Sequence, residues 1–477
     1  MPGPFHGINL ASNALRSFQR GLDVAGHNIA NVNTRGYSRQ TVDFVQSDPT
    51  TFTSLKRLTL GTGVGIESIN RIRDLFLDAR MQETAGSLDR FGTLSTGVRR
   101  LEAIYQEPGE LGVSAALDRF FDAWSGLASN PSERAARVQA QQAGQTLANR
   151  VRDAYGNHMV LRDQFEEQTH ATIREIDRLA GEIALLNTQI RDQRALGMEP
   201  NDLMDLRDLA LEQLGSLINI KTARYDDGTV GVFVSQFTLV DRVGSRSFPS
   251  DFDPHGQTVS DGTRTYAIRS GRLLGLFESI SHTTRSMNRL DLLANNLRAE
   301  VNLLHFSGVN ENGTTGVVFF NGGPPPYPPI PNTMSGAIDF DLSADIKTDP
   351  DNIAAGTSGN AGDGGLALLL SRLREQPILN KTNGAEVLPG FNGRTFAEYY
   401  RDNLAEIAET SRFVGAARET QVAIADQIER QRQAVSGVSL DDEMATMLRF
   451  QRSYQAAARA LTVFDQVTED LIGMLRR

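Results

Sequence analysis

The chain has 477 residues, no cysteine, and 58 acidic residues against 48 lysines and arginines, giving a formal net charge of −10. Zero cysteines exclude disulfides, zinc ribbons and thiol catalysis, and the acidity argues against a nucleic-acid partner, whose binding rests on phosphate neutralisation. No run approaches the ~18 apolar residues of a membrane span, and Met1 to Gly7 lack a basic region ahead of an apolar core. Neither a membrane segment nor a cleavable secretory signal is therefore expected. The apolar fraction is 40% with 7% aromatic, a balance that narrow stripes on long helices produce and a thick core does not.

From Ile8 the apolar residues Ile8, Ala11, Leu15, Phe18, Leu22, Ala25 and Ile29 recur at alternating spacings of three and four, predicting a helix with a heptad seam. Burying that seam gains on the order of 15 kcal/mol, less than ordering about 25 residues costs at ~1–2 kcal/mol each. The helix needs a partner. Leu88, Phe91, Ser95, Val98, Leu101 and Tyr105 predict a second helix, and Phe165, Thr169, Thr172, Ile176, Leu179, Ile183, Leu186 and Ile190 a third. Residues 221–274 change character. Asp226-Asp227-Gly228 precedes the β-rich Thr229–Val234, and Ser260-Asp261-Gly262 precedes Thr265–Ile268, the signal of hairpins in a small antiparallel β element.

Helical spacing resumes at Met287, Leu290, Ala294, Leu297, Val301 and Leu304. Six of the 17 prolines then fall between Gly322 and Pro331, a stiff loop of polyproline II geometry. A mostly polar helix is predicted from about Phe396 to Val435. The last seam reads Leu440, Met444, Met447, Gln451, Tyr454, Ala458, Leu461, Phe464, Thr468, Leu471 and Leu475. Two spacings of three in succession, Ala458 to Phe464, predict a stammer there. Ser439 ahead of Asp441, Asp442 and Glu443 marks the helix start.

No chemistry emerges from the pattern. The seven histidines include no pair at i, i+4, and the chain has neither a phosphate loop nor a nucleophile elbow. Gly61-Thr62-Gly63-Val64-Gly65 lacks nucleotide-binding spacing and reads as a turn. Acidic neighbours such as Glu166-Glu167 point to different helix faces, which suits them poorly for paired acid/base work. No catalytic residue, cofactor site or metal site is assigned.

The stretch Asn28-Ile29-Ala30-Asn31-Val32-Asn33-Thr34-Arg35-Gly36-Tyr37-Ser38 reads physically as a helix end, with Gly36 as the stop. It resembles the N-terminal signature shared by bacterial flagellar rod, hook and hook-associated proteins. Ser436–Met444 followed by Arg449–Ala456, which includes Leu440 and Gln451, resembles their C-terminal signature. Arg39-Gln40 directly after Gly36-Tyr37-Ser38 is similar to the hook-associated protein 1 family, the first junction proteins between hook and filament. Pro200–Asp208, Asn302–Val309 and Asp349–Ala355 add to the resemblance, which covers most of the chain apart from 235–265 and 321–345. Many relatives carry outer β domains after the position of Phe319-Phe320, where this chain has a short proline-rich stretch.

The resemblance implies a mainly α fold with a smaller β part. Paired terminal helices in 1–70 and 436–477 would form a coiled-coil inner layer. A long helical bundle would comprise 71–220, 275–320 and 346–435, with the β element at 221–274 and the loop at 321–345 replacing a reduced or absent outer domain. Ile8, Leu15, Phe18, Leu22, Ile29, Met444, Met447, Tyr454, Leu461, Phe464, Leu471 and Leu475 would be the assembly seam. Asn28, Asn31, Gly36, Tyr37, Arg39, Gln40, Leu440 and Gln451 are the signature residues. The implied function is a structural subunit of the flagellum, exported through the type III apparatus after a transient stay in the cytoplasm and needed for motility. Its implied partners are its own copies, the hook protein, a second junction protein of the hook-associated protein 3 type, and an export chaperone at the C-terminal helix, with no nucleic acid and no membrane. The alternatives are another axial protein of the hook or distal rod, or a secreted enzyme.

Overall fold

The computed structural model describes residues 5–53, 57–105, 107, 109–322, 336–358, 360, 362–378, 391 and 393–475. In chain order the elements are helix α1 (His6–Ala30), strands β1 (Gln40–Gln46), β2 (Thr50–Thr53), β3 (Arg57–Leu60) and β4 (Val64–Arg71), then α2 (Leu75–Tyr105), α3 (Val113–Ser129), α4 (Arg134–Ala195) and α5 (Asn201–Leu217). Strands β5 (Lys221–Arg224), β6 (Val230–Val234), β7 (Phe237–Val240), β8 (Asp251–Asp253), β9 (Thr258–Ser260) and β10 (Thr265–Ala267) follow, and α6 (Gly271–Ser307), α7 (Ala344–Thr348), α8 (Gly365–Arg372), α9 (Phe396–Ser436) and α10 (Leu440–Leu475) close the chain. The proline run at Pro324–Pro331 lies outside the described residues.

The two ends of the chain lie side by side and antiparallel. A Cβ built on Gly7 would sit 2.5 Å from the Phe464 ring, and one on Gly21 would sit 3.0 Å from the Phe450 ring. Glycine lets the two backbones approach at both points. The seam of α10 runs through Glu443, Phe450, Ala457 and Phe464, with Glu443 and Ala457 buried. Ala457 rather than Ala458 carries it, so the spacing stays regular and α10 is one continuous helix without the expected stammer.

Strands β1 and β4 pair antiparallel, with β2 and β3 as a second hairpin inside them. Sequence spacing gives no sign of this ribbon beyond the turn at Gly61–Gly65, where Gly63 adopts φ +102°. Phe44 on β1 sits between the terminal helices, its ring centroid 6.2 Å from Phe18 and 5.7 Å from Phe450.

Helix α4 has 62 residues, roughly 93 Å at 1.5 Å per residue, and serves two cores. Its first half packs with α2, α3, α6, α8 and α9 around Phe120, Trp124, Phe319, Phe320 and Phe340. Its second half, from Ile173 to Ile183, shares a core with α5, the start of α6 and the sheets β5–β6–β7 and β8–β9–β10. All eight positions of the Phe165–Ile190 pattern are buried. The two Asp-Gly turns join β5 to β6 and β9 to β10, and the six strands share their core with the long helices.

Candidate functional site

Four segments remote in sequence meet where the terminal helices join the bundle: the end of α1 with residues 31–40, the end of β4, one face of α5, and the turn between α9 and α10. Asn28 is at the centre and 1% exposed. Its Oδ1 accepts from the Gln40 amide at 3.0 Å and from the Tyr37 hydroxyl at 2.7 Å. Its Nδ2 donates to the Gln40 carbonyl at 2.9 Å and to Glu443 at 3.2 Å. Both N–H donors of the amide and both lone pairs of its oxygen are thus used, which is what burial of an asparagine demands.

Glu443 is the second anchor. It lies in the first turn of α10, where the helix dipole favours an anion, yet it is 2% exposed. The Arg39 Nε reaches it at 2.6 Å, and the Arg39 amide donates to the Ser436 carbonyl at 3.1 Å. Arg39 therefore ties the loop after α1 to the turn that starts α10. Its own carbonyl accepts from the Ile72 amide at 2.8 Å, which adds the segment leading into α2.

Helix α5 supplies the third anchor. Asp205 accepts from the amide of Ser38 at 3.0 Å, from its hydroxyl at 2.7 Å and from Arg71 at 2.7 Å. Asp208 accepts from Arg71 at 3.1 Å and from Arg73 at 2.8 Å. Asp202 takes Gln40 Nε2 at 3.0 Å, and Glu212 takes Arg432 of α9 at 2.7 Å. Burial pushes the Tyr37 phenol well above its ordinary range, and Asp202, Asp205 and Glu443 push it the same way. For Arg73, burial alone would lower the pKa; the hydrogen bond to Asp78 and the charges of Asp208, Asp78 and Asp205 outweigh it and raise it.

Of the signature residues, Asn28, Tyr37, Arg39 and Gln40 thus lie in one hydrogen-bonded network. Asn31 caps α1, donating from Nδ2 to the His27 carbonyl at 3.0 Å. Gly36 turns the chain at φ +85°, with Leu209 3.2 Å from where its Cβ would be. Leu440 and Gln451 are exposed and take no part. Of the seam residues, Ile8, Leu15, Phe18, Leu22, Ile29, Met447, Tyr454 and Leu461 are half-buried, and Phe464 covers Gly7. Met444 and Leu471 point to solvent at 55% and 46% exposure, and the side chain of Leu475 lies outside the described residues. Glu443, Asp202, Asp205, Asp208, Arg71 and Arg73 carry much of the network and are missing from the sequence assignment. Charged residues scattered over three of these segments give no periodic signal, although Asp202, Asp205 and Asp208 fall inside the Pro200–Asp208 motif.

The arrangement is mechanical. Its buried carboxylates, Asp205, Asp208 and Glu443, are bonded by arginines, by the Ser38 amide and hydroxyl, and by the Asn28 side chain. Among the described residues no cluster of three His, Asp or Glu side chains could hold a metal ion, and no helix is long and apolar enough to cross a membrane.

A family model described as the flagellar hook-associated protein FlgK helical domain matches residues 98–320. Models of the flagellar basal body rod FlgEFG protein C-terminal region and of the flagella basal body rod protein match 430–474 and 8–37. Flagellar hook-associated protein 1 of Bacillus subtilis is 27% identical over 517 residues, covering 99% of both chains. That of Escherichia coli is 25% identical over 560 residues, covering 98% of this chain and 99% of the relative. Among solved structures, the flagellar hook junction protein FlgK from Burkholderia pseudomallei superposes with a TM-score of 0.60 at 17% identity, covering 75% of this chain and all of the other. This likeness bears on the fold: mainly α, with small antiparallel sheets.

Proposed function

The chain belongs to the flagellar hook-associated protein 1 (FlgK) family, and from that premise we propose that it is a structural subunit of the junction between hook and filament, exported through the flagellar type III apparatus. The rod-type matches at the two termini are common to axial proteins, so they do not separate this reading from hook or distal rod. The helical region at 98–320 does.

The observation that carries an assembly role is the unfinished packing of α10. Its seam positions continue through Leu471, but Phe464 already lies over Gly7, at the start of α1. Leu471, Ile472 and Met474 extend beyond α1 and are about half exposed or more, and Leu440, Met444 and Leu448 form a second exposed apolar group at the other end. Apolar faces of this kind are completed by neighbours. In this reading copies of the same chain cover them in the assembled junction, with hook protein on one side and a junction protein of the hook-associated protein 3 type on the other. Before export a hydrophobic groove in a cytosolic export chaperone holds the amphipathic α10. The terminal helices gain full order on assembly, and residues 1–70 with 436–477 form the inner layer. The family is one of structural proteins, and we assign this member no catalytic activity.

Immunogold labelling of this protein on isolated flagella tests the placement. A single band between hook and filament is expected, and label along the hook or on the rod overturns it. Full chaperone binding after deletion of 440–477 would overturn the chaperone assignment. Clearing of cell-wall substrate in a zymogram would overturn the structural one.

A further inference from the structure

Three contacts fix the alignment of α1 on α10: Gly7 under Phe464, Gly21 under Phe450, and Asn28 bonded to Glu443. The two residue numbers in each pair have the same sum, and successive contacts are separated by whole heptads on both helices. The same register sets Ala14 opposite Ala457. Every seventh residue of α1 is thus glycine, alanine, glycine and asparagine, facing phenylalanine, alanine, phenylalanine and glutamate.

We propose that Phe450 and Phe464 are specificity-determining residues for helix pairing, keys that accept only an antiparallel helix with holes two heptads apart and a terminal asparagine. A slip of one heptad, about 10.5 Å, would press Phe464 onto Ala14 and bury the Phe450 ring against Asn28. The opposite slip would lift Phe464 off the start of α1 and bring Glu443 to Gly21. Each slip also strands Glu443 away from Asn28, leaving buried polar groups unpaired. A buried asparagine at a heptad position sets register in just this way. Large apolar seam residues such as Leu15, Leu22 and Ile29 repeat every seven and would tolerate either slip. The register information therefore resides in the small residues and the asparagine of α1, which fix how far along α1 the α10 helix seats.

The absence of cysteine permits a direct test on the full chain. With Ala14→Cys and Ala457→Cys combined, mild oxidation of the dilute protein is expected to form a bond within one chain, since the slipped registers exceed the ~3.5–4.5 Å Cβ separation a disulfide spans. Adding Gly21→Phe is expected to slow that bond by about tenfold or more, because a second ring overfills the site. Adding Phe450→Ala to that variant vacates the space and restores the rate. Fluorescence of Trp124, the only tryptophan and fully buried in the bundle, reports whether the rest of the fold is intact. The inference is overturned if the parent pair stays unlinked or links between chains. It is equally overturned if Gly21→Phe leaves the rate unchanged, or if Phe450→Ala fails to restore it.

Discussion

Asp205 offers the sharpest perturbation of the network that joins the terminal helices to the bundle. It is 5% exposed and accepts three hydrogen bonds, two from Ser38 and one from Arg71. Asp205→Ala orphans the Ser38 amide and leaves Arg71 to share Asp208 with Arg73. Breaking a buried ion pair by removing one partner costs about 3–5 kcal/mol, and the retained Asp208 keeps the total within that range. Asp202 is the natural control, since its side chain is 66% exposed and its loss is expected to cost less than about 1 kcal/mol. Native-state hydrogen exchange at the amides of Ser38, Arg39, Gln40 and Ile72 reads the difference. For Asp205→Ala exchange there should accelerate by about two to three and a half orders of magnitude, following 1.4 kcal/mol per factor of ten. For Asp202→Ala the expected change is below about fivefold. Equal acceleration in the two variants would refute the claim that the α5 carboxylates hold the loop after α1.

Gly36→Ala places a Cβ at φ +85° and 3.2 Å from Leu209, so a loss of about 1–2 kcal/mol is expected in urea unfolding. Phe319 packs against Phe120, Trp124, His305 and Phe320; Phe319→Ala should cost about 3–5 kcal/mol in the same assay and shift Trp124 emission. Acid should weaken the fold through His305, whose pKa burial lowers to about 4. Its Nδ1 contacts the Val317 carbonyl at 2.8 Å and its Nε2 the Ala354 amide at 3.0 Å, so the neutral ring donates at Nδ1 and accepts at Nε2. The unfolded chain binds the extra proton between pH ~6.5 and ~4. Stability from this group is therefore present above pH 6.5 and falls by about 2 kcal/mol from pH 7 to 5. Urea midpoints at the two pH values, compared with those of His305→Gln, check the sign and size.

Periodicity located the elements wherever apolar residues faced one core. The Phe165–Ile190 stripe and the first seam, inside His6–Ala30, follow from spacing alone, and Asp-Gly placed two hairpins. Counting at three and four set one edge of the α10 seam a residue too late, so that Met444, Gln451 and Ala458 stood in for Glu443, Phe450 and Ala457. A charge paired inside the fold looks like a solvated one, and a glycine under a ring contributes nothing to an apolar count. The β1–β4 ribbon escaped notice because most of β1 is exposed and carries little alternation. The first half of α4 hid behind alanines and buried Arg137 and His158. Asn28, Tyr37, Arg39 and Gln40 were legible as a signature, but their partners on α5 come from tertiary packing and have no local pattern.

The central claim is that this chain joins hook to filament. Electron microscopy of cells lacking the gene, with an assay for flagellin in the medium, tests it most directly. The account predicts intact hooks without filaments and flagellin shed into the medium, both reversed by the wild-type gene. Cells without hooks would move the protein down the axis, and normal filaments would contradict the account.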